Sequence, residues 1–345
     1  MQPLYDPEKT YLDNLTNGPF FDGKIPVRPP FRWTEFLGFK IASPIGVPAG
    51  PLLNANWCGV AADLGYDVLT YKTIRSYEHP SHPLPNITYV DAPDQLDPCH
   101  LPNSVHRLDK PPSSLEQLAI TNSFGNPSRS PEYLRKDIPL AIEKLHPGQL
   151  LIVSVFGTTD EEYLECARLA VDCGSPVIEA NFSCPNVSKE EGSLFENPEA
   201  VYNLSKKLIG VIGDTPLVIK LGVISDPERL KNVLVAAARA GVRAICGINT
   251  ISMKVEPPLT NGRKTCGICG SPILQAALTF TRNAREIIDR EKLPLELMTT
   301  GGATSPEHFQ LMLDAGASVA MTATGMMWAP YLASKYHQGI YQHVS

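Results

Sequence analysis

The chain contains no stretch that approaches the roughly 18 consecutive apolar residues of a membrane-spanning helix. Its first residues, Met1-Gln2-Pro3-Leu4-Tyr5-Asp6, lack a basic region followed by an apolar one, so no secretory signal is expected. There is no basic surplus. Lys and Arg number 30 against 36 Asp and Glu, a net charge of −6, which gives no support to a nucleic-acid partner. No Gly-x-x-x-x-Gly-Lys-Ser/Thr loop or dinucleotide fingerprint occurs, so a direct ATP or NAD site is unsupported. Cys266 and Cys269 form a CxxC with no second pair near it, and His79, His82, His100 and His106 lack ligand-like spacing, so no metal is expected. Eight cysteines in 345 residues, without a secretory signal, fit a reducing cytosol better than a disulfide scaffold. A cytoplasmic protein that binds neither membrane nor nucleic acid is therefore expected. There is no internal repeat and no low-complexity segment.

Proline, by contrast, is abundant. Much of it falls within 19–51 and 80–131. Residues 1–33 read as an extended arm with one helical turn around Glu8 to Leu15. Thr34 to Ser43 reads as two small strands around Gly38, a lid at one end of the fold. A strand–helix rhythm then begins. Short apolar runs start near 44, 68, 150, 176, 216, 244, 295 and 318. Helices are expected between them over 54–64, 132–145, 159–172, 197–212, 226–240, 272–290 and 305–315, with a last one over 330–342. Asn54 and Asp226 read as N-caps, and Gly65 and Gly241 as stops. Eight strands alternating with helices imply parallel pairing and a closed (β/α)8 TIM barrel. The stretch 74–130 is too long for an ordinary connection and reads as a functional excursion. Residues 250–270 read as a glycine-punctuated loop. The expected organisation is an arm, 1–33, and one barrel domain, 34–345, with an insertion at about 74–130.

In such a barrel, functional groups stand at the C-terminal ends of the strands. The most telling end is Asn181-Phe182-Ser183-Cys184-Pro185-Asn186. It offers a thiol, a hydroxyl and amides that both donate and accept hydrogen bonds. Taken alone, the hexapeptide reads first as a strand-end turn with a buried cysteine. Lys72 and Lys220 stand at two other ends, and a buried lysine is costly unless an anion meets it. Gly301-Gly302 and Thr324, after strands seven and eight, occupy the usual phosphate position of barrel enzymes. Gly267-Ile268-Cys269-Gly270-Ser271 is expected to open the following helix and add backbone amides.

Together with Tyr71-Lys72-Thr73, Asn122-Ser123-Phe124-Gly125, Ile219-Lys220-Leu221, Ile248-Asn249-Thr250 and Thr300-Gly301-Gly302, the hexapeptide resembles the dihydroorotate dehydrogenase family. The resemblance runs from about Phe36 to the C-terminal helix. Cysteine at 184 is similar to the soluble, cysteine-base class. The resemblance implies FMN as cofactor and oxidation of dihydroorotate to orotate in pyrimidine biosynthesis. Cys184 would remove the C5 proton, and the C6 hydride would pass to flavin N5. Lys220 would sit by the flavin pyrimidine edge. Lys72 would approach flavin and substrate, and with Asn122, Asn181, Asn186, Asn249 and Thr250 would bind the substrate. Ala49, Gly50, Lys72, Thr73, Asn181, Lys220, Gly270, Ser271, Gly301, Gly302, Ala323 and Thr324 would bind FMN. The implied partner is a small molecule. Homodimers are common in the resembled class, and a separate electron-transfer subunit stays open.

The chain also departs from the family pattern. The stretch between Lys72 and Asn122 is longer and dense in Pro and His, Phe124 replaces a methionine, and Ala323 stands where many relatives carry glycine. Other readings therefore stay open. They are oxidation of another dihydropyrimidine such as dihydrouracil, tRNA-dihydrouridine synthesis, which the acidic balance disfavours, and a Schiff-base lyase that uses Lys220.

Overall fold

A computed structural model describes residues 3–183, 194–259 and 262–342. In the arm, helix α1 (Tyr11–Asn17) starts at Thr10, whose hydroxyl accepts from the Asp13 N–H while the Asp13 side chain answers the Thr10 N–H. Strands β1 (Thr34–Phe36) and β2 (Phe39–Ile41) form the expected antiparallel pair. The main chain of the fold then runs β3 (Ile45–Val47), α2 (Ala55–Asp63), β4 (Val68–Ile74), and into the insertion with β5 (Tyr89–Asp91), β6 (Val105–Leu108) and β7 (Ala119–Asn122). It continues with α3 (Pro131–Glu143), β8 (Leu150–Val155), α4 (Asp160–Asp172), β9 (Ile178–Asn181), α5 (Pro198–Ile212), β10 (Leu217–Lys220), α6 (Pro227–Ala240) and β11 (Ala244–Gly247). Then come β12 (Ile251–Leu259), β13 (Arg263–Gly270), α7 (Leu274–Glu291), β14 (Glu296–Thr300), α8 (Pro306–Asp314), β15 (Val319–Met321), α9 (Thr324–Trp328) and α10 (Leu332–Gln342).

Strands β3, β4, β8, β9, β10, β11, β14 and β15 close a parallel barrel in that order. These are the eight apolar runs of the sequence. Every residue of β4 and β8 is buried, as strands covered on both faces must be. The helices begin where short polar side chains can satisfy free N–H groups. Asn54, Ser130, Thr159, Asn197 and Asp226 all accept at the starts of α2 to α6.

One end of the barrel is plugged. Phe36, Leu37 and Ile41 of the β1–β2 hairpin pack with Val68, Leu150, Val177 and Val319 from the barrel interior. The Leu37 N–H donates to Glu296 Oε1 at 2.8 Å, which fixes the hairpin against β14.

The other end carries a structure that the sequence reading missed. Residues 251–270 are not a loop but the antiparallel hairpin β12–β13. With β5, β6 and β7 from the insertion, it closes a second, five-stranded sheet. Alternate burial of Ile251, Met253 and Val255 is the signature of a half-buried strand. Pro257 and Pro258 lie at the exposed end, where the pairing with β13 shifts register. In consequence Gly267 to Gly270 are strand residues, and α7 starts only at Leu274 after a single 3-10 turn.

The arm wraps the barrel from mouth to base. Leu4 donates its N–H to the Met327 carbonyl at 2.8 Å, and Tyr5 packs on Trp57 of α2 with ring centroids 6.2 Å apart. At the base, both guanidinium Nη groups of Arg28 bond the carboxylate of Asp67, which has no solvent exposure and also accepts from Ser43 Oγ and Gln149 Nε2. Removing one partner of a buried pair leaves the other charge unanswered. Arg28→Ala should therefore lower stability by about 3 kcal/mol in a urea unfolding titration. An unchanged midpoint would show that water already serves Asp67.

Candidate active site

The barrel mouth opens into a cavity of about 990 Å³ beneath the five-stranded sheet. Its floor is made by the strand ends. Ala49 and Gly50 follow β3, Lys72 and Thr73 belong to β4, and Asn181 and Lys220 end β9 and β10. Asn249 and Thr250 follow β11, Gly301 and Gly302 follow β14, and Ala323 and Thr324 follow β15. Asn122 and Gly270 reach the cavity from the upper sheet, paired across β7 and β13. Nearly all of the described residues expected at the site thus face one space.

Ser271 differs from that expectation. It is not on the cavity wall, and both its N–H and its hydroxyl donate to the Leu118 carbonyl, at 2.9 and 3.3 Å. Its work is to fasten the end of β13 to the insertion. Cys184 and Asn186 lie outside the described residues.

Two lysines give the cavity its electrostatic character. Lys72 and Lys220 are only 8% and 3% exposed. Lys220 Nζ donates to the Ala49 carbonyl at a long 3.5 Å. An ammonium held out of water with so weak a neutral acceptor favours an anionic ligand.

The polar cluster at the end of β9 is already tied together. Asn181 Oδ1 accepts from the N–H and the hydroxyl of Ser183, at 3.2 and 2.7 Å. Asn249 Nδ2 donates to Ser183 Oγ at 2.6 Å. Ser183 therefore holds two amides in one orientation, a role that sequence reasoning did not assign although the residue stands in the hexapeptide. The Tyr163 hydroxyl bonds the Asn181 carbonyl at 2.7 Å and fixes the strand end from behind.

The upper wall depends on a residue that the sequence did not single out. Arg263 of β13 donates to the carbonyls of Ser123, Pro83 and Pro85 and to Ser123 Oγ, at 2.8 to 3.0 Å. It locks the Asn122-Ser123-Phe124 segment to the hairpin. Tyr5 and Tyr11 of the arm also line the cavity, each edge-on to Phe124 at 5.7 and 6.0 Å. No sequence signal links them to the site, because the contact joins residues over a hundred positions apart.

The walls suit a large anionic cofactor. A Cβ on Gly50 would meet no protein atom within 4 Å, so its absence leaves open room at the floor. Gly302 has φ +79°, and a Cβ there would lie 2.4 Å from the Leu274 nitrogen. Only glycine lets that backbone approach the start of α7 so closely. The start of α7 carries no side-chain cap, whereas in α9 Thr322 Oγ1 accepts from the Gly325 N–H at 3.1 Å. Among the described residues, no cluster of His, Cys, Asp or Glu could hold a metal.

A profile of the family described as dihydroorotate dehydrogenase matches residues 33–344. The chain belongs to the dihydroorotate dehydrogenase family. It is 45% identical to the dihydroorotate dehydrogenase of Dictyostelium discoideum over 97% of both chains. It is 26% identical to the catalytic subunit of dihydroorotate dehydrogenase B (NAD(+)) of Maridesulfovibrio salexigens, over 86% of this chain and 88% of that one. It is 25% identical to the NAD-dependent dihydropyrimidine dehydrogenase subunit PreA of Escherichia coli, over 86% of this chain and 68% of that one. The closed eight-stranded barrel is the fold expected of a dihydroorotate dehydrogenase. Among the described residues, no helix is long and apolar enough to cross a membrane.

The CxxC of this family member lies along an extended strand. Three strand steps separate its cysteines by about 10 Å, too far for a disulfide. Burial pushes the Cys269 thiol up to about 11, only partly opposed by a hydrogen bond with Thr324. A raised pKa means little thiolate at neutral pH. Among the described cysteines, alkylation should therefore label exposed Cys99 first, and Cys269 about tenfold faster with each pH unit up to that value. Rapid labelling of Cys269 at pH 7, read by peptide mass spectrometry, would contradict this account.

Proposed function

We propose that this chain oxidises dihydroorotate to orotate, with FMN held across the barrel mouth and Cys184 as the base. The observation that carries the reading is convergence. In a dihydroorotate dehydrogenase family member, Lys72, Lys220 and the Asn181–Ser183–Asn249 cluster face one cavity large enough for a cofactor and a substrate.

Bound FMN supplies the acceptor for the electron pair that leaves C6. The remaining work falls to the protein's own residues. Ala49, Gly50, Thr73 and Asn181 would lie along the flavin ring. Gly270, Gly301, Gly302, Ala323 and Thr324 would surround its phosphate, where backbone N–H groups favour an anion. Lys220 would face the ring from the barrel floor and favour negative charge on it.

Lys72 would neutralise the substrate carboxylate. Asn122, Asn181, Asn186, Asn249 and Thr250 would meet the alternating donors and acceptors of the pyrimidine ring. A ring lacking those partners would leave buried amides unpaired, which is how such a site discriminates. Cys184 would take the proton from C5 at its sulfur while the asparagines hold the ring in place. The five-stranded sheet over the mouth would keep bulk water from the reacting atoms. We assign this chemistry to a single cytoplasmic unit, residues 34–345, with the arm 1–33 bracing it.

The likeness to a dihydropyrimidine dehydrogenase subunit supports one second reading, oxidation of a ring without the carboxylate. The two are separated by an anaerobic titration. Purified protein should be yellow, and dihydroorotate should bleach the flavin while dihydrouracil leaves it oxidised. A colourless protein that binds no FMN would sink the flavin reading, and bleaching by dihydrouracil alone would establish the second one. Cys184→Ala should keep its colour but reduce flavin about 10²- to 10⁴-fold more slowly. Undiminished reduction in that variant would remove Cys184 as base.

A further inference from the structure

Inward-facing side chains of a parallel barrel stack in layers, each contributed by alternate strands. Following the strand register, one layer of this barrel consists of Thr70 on β4, Glu179 on β9, Cys246 on β11 and Met321 on β15. The lower layers are apolar, with Val68, Val177, Val218 and Val319 among their members. The next layer up contains Lys220. A carboxylic acid therefore lies inside the barrel, one layer below the cavity floor.

Glu179 has no solvent exposure, and among the described residues its carboxylate meets no hydrogen-bond donor other than the weak thiol of Cys246. The hydroxyl of Thr70 in the same layer has no hydrogen-bond partner among the described residues. A structural core gains nothing from an acid in such a place, since burial with only a weak thiol donor is costly. Its register neighbours are Ser154 and Val218, and Lys220 is the next inward residue along β10. Cys246 pairs in register with Lys220. Its buried thiol is pushed up first by burial and then by the charge of Glu179, while Lys220 opposes the rise. The acid and the ammonium thus act on one buried atom between them.

We propose that Glu179 is a positioning residue that acts through Lys220. Its carboxylate offsets part of the ammonium charge from below and so limits how strongly the floor favours the negatively charged, reduced flavin. This rests on the assignment of FMN to the cavity above. The effect is electrostatic and passes across the layer, since the two groups are not hydrogen-bonded to each other. Functionally it would keep the flavin willing to release its electrons to the next acceptor, which a lone buried ammonium would oppose.

The test is the flavin midpoint potential of the FMN-loaded protein, measured by equilibration with reference dyes. Glu179→Gln keeps the shape and removes the charge. It should favour reduced over oxidised FMN by roughly tenfold more than wild type, a shift of about +30 mV for a two-electron couple. In a Lys220→Met background the same substitution should move the potential much less, because the group it acts through is gone. An unchanged potential in Glu179→Gln with FMN bound would overturn the proposal. Wild-type protein that binds no FMN would instead overturn the cofactor reading on which it rests.

A second measurement stands if Glu179→Gln does not fold. Glu179→Met, which removes the charge and fills the volume with an apolar side chain, should shift the flavin midpoint potential in the same direction. An unshifted potential in that variant would contradict the coupling.

Discussion

A buried ammonium needs an anion, and the upper half of this barrel is arranged around two of them. Lys220 and Lys72 leave water at the ends of β10 and β4, yet among the described residues Lys220 donates only to a distant backbone carbonyl. The groups around them follow from that constraint. Gly50 leaves open space at the floor, and Gly302 lets its backbone pack directly on the start of α7. Ser183 holds two amides in a fixed orientation rather than leaving them to solvent. A site that is already ordered loses less entropy on binding.

The lower half makes that arrangement affordable in stability. Valines, methionines and the β1–β2 plug fill the barrel base with apolar volume. Between the plug and the Thr70–Glu179–Cys246 layer, the interior is lined by apolar side chains such as Val68, Val177, Val218 and Val319. The transition from apolar to polar layers marks where packing ends and chemistry begins. The arm strengthens the same division. Its Arg28 answers the buried Asp67 at the base, whereas its Tyr5 and Tyr11 support Phe124 at the mouth.

The eight barrel strands were legible because each is a short, continuous apolar run bounded by turn formers, as at Val68–Thr73 and Leu217–Lys220. Local signals suffice for such strands. The helices were legible through caps such as Asn54 and Asp226, whose bonds are made within three residues. The five-stranded sheet was not legible. It pairs β6 with β12 in parallel, residues 105 and 255, and no local pattern announces a partner so far along the chain. The alternation over Ile251 to Val255 could have revealed β12, but the flanking glycines and prolines made it read as a loop. Within the site, Lys72, Lys220, Asn181 and Asn249 were named from strand-end position and from the family resemblance. Arg263 and the two arm tyrosines were missed for the same reason as the sheet. Glu179 was passed over as one polar letter inside an apolar run.

The central claim is that Cys184 delivers a base to a pyrimidine ring seated on FMN at this mouth. The most direct measurement is a crystal structure of the protein with FMN and orotate bound. The account predicts Cys184 Sγ about 3.5 Å from C5, on the face of the ring away from the flavin, with Lys220 beneath the flavin. Orotate bound with Cys184 directed elsewhere, or FMN bound away from Lys220, would contradict it.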